Sequence, residues 1–139
     1  MTPTLLLRFA SVLAFIHAIL HTIGGVFGKP APGAEGVVSL MQANQYPVMG
    51  MMRTYWDFYH GMGLAVSIFL VIEAAVFWQL GEFAKSDTPA LRPLLATFLV
   101  GYLGLAVNSG LYFFAGPVVV EILIALCLGL AIRARNKSN

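Results

Sequence analysis

The residues best suited to chemistry in this chain are few and sit inside apolar surroundings. His17 and His21 are spaced i,i+4 and Asp57 and His60 i,i+3, while Asn108 and Glu121 stand alone in later apolar stretches. Both spacings put two side chains on one face of a helix. The carboxylate-x-x-His spacing is used by metal-binding helix bundles, and imidazoles with one or two carboxylates suit zinc, iron, nickel or copper. His17, His21, Asp57, His60 and Glu121 therefore form a candidate transition-metal ligand set. His21 and His60 are also candidate axial ligands of a haem. A third chemistry uses the same groups as acid, base or hydrogen-bond partners around a small hydrophobic molecule, because a buried carboxyl and a buried imidazole can exchange protons close to neutral pH. Tyr55, Tyr59 and Tyr112 are candidates to orient such a molecule; Tyr55 and Trp56 read rather as interfacial belt aromatics, and Tyr59 is open to either reading.

The elements that position these groups follow from composition. Of 139 residues, 59% are hydrophobic and 10% charged, against roughly a quarter charged in a soluble domain. A spanning helix needs about 20 mostly apolar residues, and residues 5–27, 54–80, 94–114 and 117–132 meet that need. No run alternates as a barrel strand would, and isolated strands leave backbone groups unpaired in hydrocarbon. The expected fold is all-α: one transmembrane domain, an antiparallel four-helix bundle in the cell (inner) membrane, with the lipid bilayer as its surroundings. The first segment follows Arg8 as a secretory signal would. Its length, its two histidines and the lack of a small-x-small cleavage pattern predict that it is retained.

Four spans place both termini on one side. Arg8, Lys85, Arg92, Arg133, Arg135 and Lys137 flank that side and only Lys29 and Arg53 the other, so the termini are expected to be cytoplasmic. The 28–53 connection then lies outside. It is rich in Gly, Pro and Met, and residues 34–45 read as a short interfacial helix with Val37, Val38, Leu40 and Met41 on its apolar face. Phe114 to Pro117 reads as a tight corner that makes the last two spans neighbours.

Counting 1.5 Å per residue from the expected span ends, His21, His60 and Asn108 each lie roughly 9 Å below the outer boundary and Glu121 about 6 Å. Ionisable groups in a membrane are functional candidates, so His17, His21, Asp57, Tyr59, His60, Asn108 and Glu121 are taken as one polar cluster near the outer leaflet. Small-residue stripes mark helix contacts in membranes. They are expected at Ala10, Ala14, His17, Ala18, His21, Gly25 and Gly28, at Thr97, Gly101, Gly104 and Asn108, and at Glu121, Ala125 and Gly129. The second span should face inward with Asp57, His60, Leu64, Ser67 and Val71. Small-residue faces left uncovered would suit a homo-oligomer.

Glu73 falls about 140° around its helix from His60, and Arg8 is the expected partner for it. Met41, Met49, Met51 and Met52 read as adaptable packing rather than Cu(I) ligands. Cys127 reads as a small buried hydrophobe with no intrachain disulfide partner.

TYWDFYHGMGL at Thr54 to Leu64 and HTIGG at His21 to Gly25 resemble a family of small uncharacterised bacterial four-helix integral membrane proteins, in which an aromatic-rich stretch opens the second helix. The resemblance implies a four-span fold and no particular activity. Dinucleotide loop, phosphate loop and HExxH motifs are absent, and the formal charge of +2 gathers at one rim, which argues against a nucleic-acid partner. Three functional classes follow: a binder or transformer of a small hydrophobic molecule, a metal or haem redox protein, and a structural or interaction subunit.

Overall fold

The computed structural model describes residues 1–86 and 88–135. Lys137, counted above among the terminal-side cations, lies outside the described residues. The described chain is mostly helical, and four of its helical stretches, Pro3–Val26, Tyr55–Phe83, Leu91–Tyr112 and Ala115–Arg135, are long and apolar enough to cross a membrane. Their ends fall within three residues of those expected from hydropathy alone.

Each element has a local cause. α1 (Pro3–Leu20) begins with proline, whose missing N–H is no loss in a first turn, and Thr2 Oγ1 accepts from the Leu5 N–H at 3.3 Å. At His21 the helix widens into a π-helical turn, His21–Val26, continued by a Phe27 N–H bond to the Thr22 carbonyl five residues back. Such widenings concentrate at functional sites.

The 28–53 connection holds the expected short helix, α2 (Glu35–Ala43), and then an element the sequence reading did not contain. β1 (Gln45–Val48) and β2 (Met51–Thr54) form an antiparallel hairpin in the register Val48↔Met51 to Gln45↔Thr54. The all-α expectation is corrected to this extent. Met49 and Gly50 both have positive φ (47° and 87°), the backbone of a two-residue type I′ hairpin turn. Pro47 pairs with Met52 at a non-hydrogen-bonded position, so its lack of an N–H costs the hairpin nothing.

α3 (Tyr55–Phe83) follows β2 without a linker. α4 (Leu91–Tyr112) and α5 (Ala115–Arg135) are joined by Phe113 and Phe114 alone, and Pro117 lies in the first turn of α5, as the corner reading expected. The two helices pack on one another: Ser109 bonds Glu121 near the corner, and a Cβ added at Gly129 would stand 4.0 Å from Leu99 Cδ2.

The chain divides into two compact units, residues 18–69 and residues 1–17 with 70 onward. The second unit carries the hydrophobic core, where Leu7, Ala10 and Ala14 of α1, Ala74, Phe77 and Leu80 of α3, Leu91, Leu95 and Tyr102 of α4 and Ile124, Leu128 and Ala131 of α5 are buried. Phe77 meets Phe98 edge-on at 5.1 Å and Tyr102 at 5.8 Å. Near the helix ends of this unit Arg8 pairs with Glu82 and lies 3.4 Å over the Trp78 ring, and Lys85 adds a 2.6 Å contact to Glu82. Arg8 therefore does not pair with Glu73, as the sequence reading had expected, because Glu82 lies about two and a half turns along α3 at the same end as Arg8.

Candidate functional site

In the unit formed by residues 18–69, the polar groups meet where the π-helical turn packs on the first half of α3. The His21 Nε2 lies 3.1 Å from the Gly63 carbonyl oxygen. A carbonyl only accepts, so Nε2 carries the proton and donates. At the next residue, Thr22 Oγ1 lies 2.8 Å from Ser67 Oγ, one turn along α3 from Gly63, and 2.6 Å from the Ala18 carbonyl, and Ser67 Oγ reaches the Gly63 carbonyl at 3.2 Å. Gly63 permits this approach: a Cβ there would stand 3.1 Å from Val26 Cγ2. Histidine, threonine, serine and glycine thus make one hydrogen-bonded seam between the two helices.

Asp57 and Thr54 form a reciprocal cap on α3. The Asp57 N–H donates to Thr54 Oγ1 at 3.0 Å, and the Thr54 N–H donates to Asp57 Oδ2 at 2.8 Å. This is a capping box with Asp in the acidic position, and the T-x-x-D pattern that announces it was present in the sequence. Tyr46 of β1 packs on Tyr55 at 4.8 Å and on Phe58 at 6.0 Å, which fastens the hairpin to the start of α3.

His60 has a different environment. Its ring stacks on Trp56 at 5.8 Å and takes Phe27 edge-on at 5.5 Å, while Trp56 also stacks on Tyr59 at 5.5 Å. The Nδ1 atom of His60 is buried and has no hydrogen-bond partner. Buried polar atoms are nearly always paired, so an exception needs an explanation. Tyr59 and Tyr55 are exposed beside it, at 55% and 58%.

The other expected site residues belong to the second unit. Glu121 is buried on α5 and accepts a 2.9 Å hydrogen bond from Ser109 Oγ, with its Oε2 buried and unpartnered. Tyr102, fully buried, donates to Glu73 at 2.9 Å. His17 is half-buried on α1. Asn108 is exposed, as are Thr97, Gly101 and Gly104, so the small-residue stripe of α4 faces outward and the expectation that it faces the bundle is corrected. The inward face is Leu91, Leu95, Tyr102 and Ser109. Its large side chains join the buried cluster that includes Ala10, Ala14 and Ala74, and hydroxyls on this face reach Glu73 and Glu121. Asp57 and Val71 of α3, expected to face inward, are likewise exposed, and the buried line runs from Ser67, as expected, through Leu70, Ala74, Phe77 and Leu80. Cys127 is half-buried against the core.

Of the seven expected residues, one unit holds His21, Asp57, Tyr59 and His60 and the other His17, Asn108 and Glu121. The sequence reading missed Thr22, Gly63, Thr54, Tyr102 and Ser109 as partners. Among the described residues no three His, Cys, Asp or Glu side chains are gathered closely enough to hold a metal ion. No protein-family model matches the chain, and comparison with curated proteins and with solved structures finds no match either.

Proposed function

We propose that this chain is a multi-pass membrane protein of four antiparallel spans with cytoplasmic termini, and that the aromatic cluster around His60, on the outer side, binds a small hydrophobic molecule bearing a hydrogen-bonding group. The unpartnered buried Nδ1 of His60, between the rings of Trp56 and Phe27, carries this reading. In the same unit His21 and Asp57 already have internal partners. His60 keeps an unused nitrogen among apolar rings, the combination of apolar walls and one placed polar group that small-molecule sites use. If the molecule is transformed there, His60 is the residue placed to exchange a proton with it.

The test is organic extraction of detergent-purified protein, with mass spectrometry of the extract, metal analysis and an absorbance spectrum, comparing wild type with His60→Ala. The expected outcome is a small apolar compound near one equivalent in wild type, lost in the variant at unchanged helix content. Identical extracts would overturn the reading. Stoichiometric metal or a haem spectrum removed by the variant would support the redox alternative, although His21 Nε2 would first have to leave the Gly63 carbonyl.

A second reading is favoured by the His21–Gly63 and Thr22–Ser67 contacts. In it the polar groups only join helices, as in a structural or interaction subunit. It expects His60→Ala to lower stability and to change no extracted compound.

A further inference from the structure

A groove of about 360 Å³ lies between α4 and α5, lined by Leu99 and Leu103 on one side and by Ile122, Leu126, Leu130 and Arg133 on the other. All of it belongs to the unit that contains the hydrophobic core, and none of it takes part in the His60 site. The lining is apolar until Arg133, in the last turn of α5. Arg133 is exposed and has no hydrogen bond or ion pair among the described residues. Its neighbour Arg135, by contrast, donates to the Ser86 and Thr88 carbonyls, and Arg8 and Lys85 are paired with Glu82. Arg92, in the first turn of α4 and so at the same end of the hairpin, also has no hydrogen bond or ion pair among the described residues.

We propose that this groove seats one acyl chain of an anionic phospholipid whose phosphate is held by Arg133. The inference rests on the membrane reading above but not on the His60 site. Three observations select the occupant. The lining from Ile122 to Arg133 rises about 16 Å along α5, close to the roughly 15 Å depth of one leaflet, half of the hydrocarbon core. An apolar trough of that length suits one chain rather than a polar solute. At its end stands a guanidinium with no partner among the described residues, whose planar fork matches phosphate oxygens. A second arginine at the same end, Arg92, also without a partner among the described residues, favours a headgroup with net negative charge over one that carries its own cation.

The full chain is extracted in a non-ionic detergent from alkali-washed membranes, then offered equal amounts of phosphatidylglycerol and phosphatidylcholine with the same chains, and bound lipid is counted by native mass spectrometry. Wild type should retain phosphatidylglycerol about fivefold over phosphatidylcholine, the ratio that corresponds to ~1 kcal/mol for one basic side chain at a membrane surface. Arg133→Gln should at least halve the preference, and adding Arg92→Gln should abolish it. Leu126→Trp, which fills the groove from an exposed position, should lower retention of both lipids, and Leu103→Trp does the same from the opposite wall should the first variant misfold. Equal retention by wild type, or a preference undiminished by Arg133→Gln, overturns the headgroup assignment. Unchanged retention in both tryptophan variants overturns the groove. Recovery of the chain in the alkali-soluble fraction would instead remove the membrane reading on which the proposal stands.

Discussion

Asp57 and His60 are three residues apart on one helix, yet their surroundings give them different work. Asp57 is held by the Thr54 N–H and so ends β2 and starts α3 in one motif. His60, one turn further, meets only rings. Spacing alone made them a pair, because i and i+3 share a face, but hydrogen bonds to the backbone are decided by where the helix begins. His21 is similar: its Nε2 proton goes to a carbonyl that glycine leaves uncovered. Thr54→Ala removes the cap acceptor and is expected to lower stability by about 1 kcal/mol, while Thr54→Ser retains most of it. Thermal unfolding in detergent, followed by far-UV circular dichroism, checks this, and equal midpoints for wild type and Thr54→Ala would show that the cap is idle.

At the scale of elements, close approach is local and specific. The seam between the π-helical turn and α3 depends on Gly63, where even the first added carbon would stand 3.1 Å from Val26. Gly63→Val is expected to destabilise by about 1–3 kcal/mol, the usual cost of overpacking, and to break the His21 hydrogen bond with it. A conservative control at Gly61, where an added Cβ meets nothing within 4 Å, should be tolerated as Gly61→Ala. Comparable losses at both positions in the same unfolding assay would mean that helix propensity, not approach, is being measured. α4 shows the converse. Its glycines at 101 and 104 have open space around them, so small residues there mark no contact within this chain.

For the molecule as a whole, the arrangement with cytoplasmic termini is open to a direct test. The single cysteine, Cys127, lies within a span, so Cys127→Ala supplies a background for added cysteines. Met49, at the tip of the hairpin and 99% exposed, should react as Met49→Cys with a membrane-impermeant maleimide in intact cells. Ser86→Cys, in the connection between α3 and α4, should react only after permeabilisation. The reverse pattern would invert the topology. Labelling of both in intact cells would contradict four spans.

Much of the architecture was legible before folding was considered. Hydrocarbon thickness demands about 20 apolar residues per span, so four spans and their ends follow from hydropathy. Proline and glycine chemistry marks the α4–α5 corner, and the basic residues mark the rim. Burial of Glu121 and Ala125 on α5 and of Ala10, Ala14 and Ala18 on α1 followed the expected stripes, whereas Gly25 and Gly28, at the far end of the first stripe, are exposed. The face of α4 did not, for a physical reason. In lipid every face of a span is apolar, and lipid tails compete equally with leucine for contact, so hydropathy contains no signal for which side turns inward. Volume and hydrogen bonding decide it: Tyr102 meets Phe77 in a buried cluster that also holds Ala10, Ala14 and Ala74, and Tyr102 and Ser109 reach Glu73 and Glu121. The hairpin was hidden because methionine, at Met49, occupies a positive-φ turn position usually taken by Asn, Asp or Gly. The same limit governs the candidate site. Residue types nominated the histidines, but only three-dimensional packing separated His21, which is bonded to a neighbouring helix, from His60, which keeps a buried nitrogen unused.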